Sequence, residues 1–153
     1  LIASAEAMKA SIDVLEPLLY QDGRRSVPGT IIAATVAGDI HDIGKNLVVL
    51  MLKNYGFEVI DLGKDVPSKT IIAEAKRTDA DIIALSALMT TTMQEMKEIV
   101  RLKKEAGIRA KIMIGGAVTT QAYADEIGAD GYSANARDAA LTARRLLGLE
   151  QDK

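Results

Sequence analysis

The chain has 153 residues, 48% hydrophobic and 26% charged, with 19 basic against 21 acidic side chains, the profile of one globular domain long enough to bury its own core. The absence of cysteine excludes disulfide scaffolds, zinc–thiolate sites, iron–sulfur clusters and thiol nucleophiles. A net charge of −2 and 3% aromatic content argue against a nucleic-acid surface, and no apolar run approaches the roughly 20 residues of a membrane span, so a cytoplasmic chain without nucleic-acid or membrane partners is expected.

Leu1, Ala5, Met8, Ile12, Leu15 and Leu19 recur every three or four residues, the stripe of an amphipathic helix. Gly23 to Gly29, with Pro28, breaks it. This segment reads either as a terminal helix packed on the domain or as the last helix of an N-terminal helical module. A first residue other than Met favours the second, which makes residues 1–27 helix plus linker and 28–153 the main domain.

From Thr30 the pattern alternates. Thr30–Val36 is a continuous apolar, β-branched run, as expected of a strand buried on both faces. Gly44–Asn54 predicts a helix with Leu47, Leu50, Met51 and Tyr55 on one side and Gly56 at its end. Phe57–Leu62 is the second strand, and Pro67 and Ser68 open a helix through about Arg77. Asp81–Leu85 is the third strand, followed by a helix over Thr92–Ala106 that Gly107 stops. Lys111–Ile114 is the fourth strand, then a helix around Thr120–Ile127. Gly131–Ser133 is a short fifth strand and Ala136–Leu147 the closing helix. Strict β/α alternation implies a parallel sheet with helices on both faces. Five strands suit the flavodoxin-like (Rossmann-like) order 2-1-3-4-5, whose ligands bind beyond the carboxyl ends of strands 1 and 3. The loops after Val36 and Leu85 are therefore the ones to inspect.

The first of these runs Ala37-Gly38-Asp39-Ile40-His41-Asp42-Ile43-Gly44-Lys45-Asn46 and holds the only histidine of the chain. A carboxylate such as Asp39 or Asp42 can hold one imidazole nitrogen and leave the other free as ligand or base. A lone loop histidine is, however, usually structural or merely exposed. The second loop carries Ser86, Thr90, Thr91 and Thr92, four hydroxyls of which helix capping by Thr91 or Thr92 accounts for one. Gly115-Gly116 ends strand 4, where a ligand or a neighbouring backbone must come close, or where a tight turn is needed. The glycines match neither a P-loop nor a dinucleotide fingerprint. No Asp ends strand 3, where a receiver domain would carry its phosphorylation site. One His and two Asp fall short of a closed four-ligand zinc site.

Taken together, the three segments resemble the cobalamin (B12)-binding domain family, whose signature is D-x-H-x-x-G, then S-x-L, then G-G. Here these are Asp39-Ile40-His41-Asp42-Ile43-Gly44, Ser86-Ala87-Leu88 and Gly115-Gly116, separated by residues 45–85 and 89–114. Both gaps match the family spacing. The wording GDIHDIGKN is most similar to corrinoid proteins of methyltransferase systems and to the B12 domain of methionine synthase. The Leu1–Tyr20 helix resembles the end of the helical cap that precedes the domain in that branch.

The resemblance implies a cobamide bound base-off, its nucleotide tail threaded between the sheet and the helices, with His41 as lower axial ligand of cobalt. Asp39 is then the partner that holds His41, and Thr92 extends the relay where the methionine synthase branch has Ser. The matched positions around cofactor and tail are Gly38, Asp39, His41, Asp42, Ile43, Gly44, Ser86, Leu88, Thr90, Gly115, Gly116 and Ala136. Tail passage over the glycine pair implies that Gly116→Val blocks binding while leaving the fold largely intact. Cobalt(I) is square-planar, so a histidine that binds the oxidised ion must let go of the reduced one. A proton moving through His41, Asp39 and Thr92 would accompany that release.

By the same resemblance the chain is a methyl carrier, a shuttle subunit rather than a complete enzyme. It would pass a methyl group from a substrate-specific methyltransferase to a second one whose acceptor is tetrahydrofolate or coenzyme M, with a reductive activator as further partner. The alternatives are a B12-dependent sensor or regulator, which would carry an effector module, and the B12 domain of an adenosylcobalamin mutase.

Overall fold

The computed structural model describes residues 28–149 together with Ala7 and Ala10, both helical and exposed. The predicted Leu1–Tyr20 helix, its assignment to a cap and the boundary at residue 27 otherwise lie outside the described residues.

The elements alternate without interruption: β1 (Thr30–Val36), α1 (Ile43–Asn54), β2 (Glu58–Val66), α2 (Ser68–Thr78), β3 (Ile82–Ser86), α3 (Thr90–Ala106), β4 (Lys111–Gly115), α4 (Gln121–Ile127), β5 (Gly131–Tyr132) and α5 (Ala136–Leu146). All strand pairs are parallel and the order is β2-β1-β3-β4-β5, the flavodoxin-like order expected from the alternation. Because successive strand residues point to opposite faces, the sheet carries two cores. Ile32, Ala34, Val36, Ile83, Leu85, Ile112 and Ile114 pack with residues of α2, α3 and α4 such as Ile71, Met96 and Ile127. Ile31, Ile82, Ala84 and Met113 face Leu52 of α1 and the alanines 139, 140 and 143 of α5.

Three differences from the sequence expectations matter for the site. First, β2 runs on to Val66, four residues past the predicted end at Leu62. Its register slips twice against β1, between Ala33 and Ala34 and between Ala34 and Val36, each time with one extra residue on β2. Such bulges break the alternation by which a strand is recognised. Second, α3 starts at Thr90 with Met89 as its N-cap and no side-chain capping bond, so neither Thr91 nor Thr92 caps it. Third, α1 buries Lys45, Val49 and Leu52, whereas Leu47 is exposed. The apolar stripe of α1 thus serves two purposes, and Leu47 is not core.

Candidate functional site

The β1–α1 loop leaves the sheet through Gly38, whose φ of +83° is a backbone state natural to glycine. There the N–H of Asp39 donates to Val36 O at 3.1 Å. This tight turn drops Asp39 inward, where it is fully buried, while the His41 side chain two residues on keeps 46% exposure. Asp39 Oδ1 lies 2.7 Å from His41 Nδ1 and accepts the His41 N–H at 3.0 Å. Asp39 Oδ2 accepts the N–H of Leu88 at 2.8 Å and the hydroxyl of Thr92 at 2.7 Å. One buried carboxylate therefore joins three elements: its own loop, the β3–α3 loop and the first turn of α3.

Burial opposes the charge on Asp39. The N–H groups of Leu88 and His41, the Thr92 hydroxyl and the His41 ring more than offset it and hold the carboxyl down at about 2. Asp39 is therefore an anion, so in the neutral imidazole of His41 the proton sits on Nδ1 and Nε2 carries the lone pair. The single Thr92 proton has two acceptors within reach, Asp39 Oδ2 at 2.7 Å and Met89 O at 3.0 Å; the nearer, charged one takes it.

Beside this relay, on the α1/α5 face of the sheet, opens a cavity of about 410 Å³. Its walls include Ala33 and Ala84 on the strands, Gly44 and Leu47 on α1, and the Tyr132–Ala136 segment leading into α5. Ala33 and Ala84 are register partners. Ile31 and Ile82 precede them on the same face, so a step from large to small side chains toward the carboxyl ends makes the space. Among the described residues no atom lies within 4 Å of the place a Gly44 Cβ would occupy, so none of them requires a glycine there. The Thr35 hydroxyl is buried with no hydrogen-bond partner among the described residues. It lies on the same face as Ala33 and beside Ser86 in register.

Of the positions singled out in the sequence, Gly44, Ser86, Gly115, Gly116 and Ala136 all line this cavity. Asp39, His41 and Thr92 form the relay above it. Asp42 is the N-cap of α1, without a side-chain capping bond. Gly38 and Leu88 are exposed on their loops, and Ile43 is exposed as the first residue of α1. Thr90 is an exposed first residue of α3 and is not part of the cavity wall. Gly116 needs a different account from tail passage alone. At φ +118° its Cβ would stand 1.9 Å from the carbonyl oxygen of Ala87, so the neighbouring backbone occupies that space. Gly116→Val would push apart β4 and the β3–α3 loop, contrary to the expectation of an intact fold.

The sequence reading passed over Ile40, 64% exposed beside His41, and also Lys45, Leu47 and the Tyr132–Asn135 wall. The legible signal was the apolar Ile40 and Leu47 flanking a polar loop; a helical stripe alone cannot separate core from ligand surface. Four of the five large hydrophobic side chains exposed among the described residues, Ile40, Ile43, Leu47 and Leu88, sit at this edge. A patch of that kind marks a surface that something apolar covers.

Residues 29–141 match the B12 binding domain family. The chain is 49% identical over 146 residues to dimethylamine corrinoid protein 1 of Methanosarcina acetivorans, spanning 94% of this chain and 68% of that one. Among solved structures it is similar to the monomethylamine corrinoid protein of Methanosarcina barkeri, with TM-score 0.83, 36% identity, and 95% and 69% of the two chains covered. It is also similar to a chain of the methanol:cobalamin methyltransferase complex MtaBC of the same organism, with TM-score 0.77, 32% identity, and 99% and 58% covered. With the fold, the spaced motifs and this match over most of its length, the chain belongs to the B12-binding domain family, and its cofactor is a cobamide.

Proposed function

We propose that the chain is a corrinoid methyl carrier that holds a cobamide base-off with His41 as lower axial ligand of cobalt. The observation that carries this reading is the split carboxylate of Asp39, which fixes Nδ1 of an exposed His41 and so leaves Nε2 to a metal arriving from outside. No three His, Asp or Glu side chains gather into a metal site among the described residues, so a metal held here brings its other donors with it, as a corrin does.

The remaining features fit the same group. The apolar edge of Ile40, Ile43, Leu47 and Leu88 suits a flat macrocycle. The cavity below, with Gly44, Ser86, Gly115 and Ala136 on its wall and the Thr35 hydroxyl beside it, suits a nucleotide tail. When bound, the cobalt supplies the nucleophile and leaving group of methyl transfer; the protein supplies orientation and tuning. Asp39 orients the imidazole and raises its basicity, and Thr92 steadies Asp39. The Asp39 anion beside Nδ1 would also stabilise the imidazole if it gained a proton while free of a metal. The dimethylamine and monomethylamine corrinoid relatives support a methylamine as the donor class; the partners in this reading are a donor-specific methyltransferase, an acceptor methyltransferase and a reductive activator.

The test is to load the purified chain with hydroxocobalamin, reduce it to Co(II) and record its EPR spectrum. Nitrogen coupling that persists with an isotopically labelled cofactor base and disappears in His41→Ala is expected. Coupling from the cofactor's own base in the wild-type chain would overturn the axial-ligand assignment.

A further inference from the structure

We infer that Asp65, with Asp61 as its counterpart, is a positioning residue that clamps the histidine loop from the neighbouring strand. The two bulges of β2 bring the segment Asp61-Leu62-Gly63-Lys64-Asp65 alongside the loop between β1 and α1. At the second bulge, the Asp65 carboxylate accepts the N–H of Gly38 at 2.7 Å, while the Asp65 N–H donates to the carbonyl of Asp39 at 2.9 Å. These two bonds grip the residue that turns the loop and the residue that holds His41. At the first bulge, Asp61 accepts the N–H of Gly63 at 2.9 Å and the ammonium of Lys45. Lys45 is buried in the first turn of α1, so the loop is fastened at its far end as well.

The conformation of Asp65 shows why the side chain is there. Its φ is +51°, one of only two positive values at non-glycine positions among the described residues. Its side chain is exposed, so packing gives no reason to prefer it to glycine, which adopts that backbone freely. The carboxylate on Gly38 is what glycine lacks. Asp39 is thus held from above by Leu88 and Thr92 through its side chain and from beside by Asp65 through its carbonyl. A carboxylate gripped on both sides presents the imidazole in one orientation, and supporting residues of this kind set how precisely a ligand meets its metal.

The consequence for ligation rests on His41 being the cobalt ligand; the clamp itself does not, and the experiment separates the two. Asp65→Gly removes the acceptor while easing the backbone, so it should fold. Asp65→Asn keeps an oxygen acceptor and a residue at home in the left-handed region. In the proteins without cofactor, hydrogen exchange at the amides of residues 38–43 should quicken roughly fivefold in Asp65→Gly, as expected for one lost hydrogen bond, with the sheet core unchanged. Asp65→Asn should track the wild type. In the hydroxocobalamin-loaded, Co(II)-reduced proteins, the ratio of histidine-bound to histidine-free cobalt should fall by a similar factor in Asp65→Gly only. Unchanged exchange in Asp65→Gly overturns the clamp, and Asp65→Asn failing together with Asp65→Gly overturns the acceptor role. A wild-type Co(II) spectrum with no protein nitrogen overturns the ligand reading alone, since the exchange measurement still decides the clamp.

Discussion

The Thr92 hydroxyl lies 2.7 Å from Oδ2 of Asp39, with both side chains buried. A hydrogen bond to a buried charge contributes about 2 kcal/mol, because its loss leaves the anion short of a donor where water cannot replace it. Thr92→Val should therefore cost about that much stability in urea titrations of the cofactor-free chain at neutral pH. Thr92→Ser, which keeps the hydroxyl, should lose less than half as much. Equal losses in the two variants would mean that the methyl group of Thr92, which approaches Gly38, matters as much as its oxygen.

Asp39 ties stability to acid. Its carboxyl sits at about 2 in the folded chain against 3.8 for the ordinary side chain. In the window between those values the unfolded chain binds more protons, so stability rises with pH there. The contribution, about 2 kcal/mol by the usual conversion, is complete above pH ~4 and fades as pH falls toward 2. Urea midpoints for the wild type should drop across that window. Asp39→Asn should start lower at pH 6 and decline less. With cofactor bound, the same substitution should weaken histidine ligation about 10- to 100-fold and alter the pH dependence of Co(II)/Co(I) reduction, followed by spectroelectrochemistry.

Thr35 makes a contrasting case. A buried hydroxyl with no partner among the described residues costs about 1–3 kcal/mol in lost hydration. Thr35→Val keeps the shape and removes that cost, so the cofactor-free chain should melt at higher temperature. If the hydroxyl serves the nucleotide tail, cobamide affinity should fall in the same variant. A stabilised chain with unchanged affinity would make Thr35 a simple defect of the core.

How much of this was legible beforehand follows the physics of each element. The strands β1, β3 and β4 declare themselves as short β-branched runs because both their faces are buried. The relay was implied by the resemblance to the B12-binding domain family, and the fold brings Asp39, His41 and Thr92 within hydrogen-bonding distance. The end of β2 was not legible, because extra residues at its bulges disturb the period that marks a strand, and Asp65 sits there. Leu47 was placed only on the apolar side of α1, because its spacing there is the same whether it meets protein or cofactor. Gly116 was read as room for a ligand because a sequence cannot show that the Ala87 carbonyl already fills the place.

The two glycines Gly44 and Gly116 should respond in opposite ways to one methyl group. At Gly44, which lines the cavity, an added Cβ meets nothing within 4 Å among the described residues. Alanine is also the better helix former. Gly44→Ala should leave the unfolding temperature of the cofactor-free chain unchanged or slightly raised, while lowering cobamide affinity by roughly tenfold, the cost of one or two kcal/mol of crowding. At Gly116 the added Cβ would overlap the carbonyl oxygen of Ala87, at a φ that alanine rarely adopts. The backbone has to give. Ala87 donates its N–H to Gly115 O at 3.2 Å, and the next N–H, that of Leu88, holds Asp39, so the displacement reaches the relay. Gly116→Ala should cost about 3 kcal/mol or more and loosen His41 even where the chain still folds. Thermal unfolding without cofactor and absorbance titration with hydroxocobalamin read the two effects separately. A Gly116→Ala chain as stable as the wild type would show that β4 and the β3–α3 loop can part freely, and the site would then be far softer than its hydrogen bonds imply.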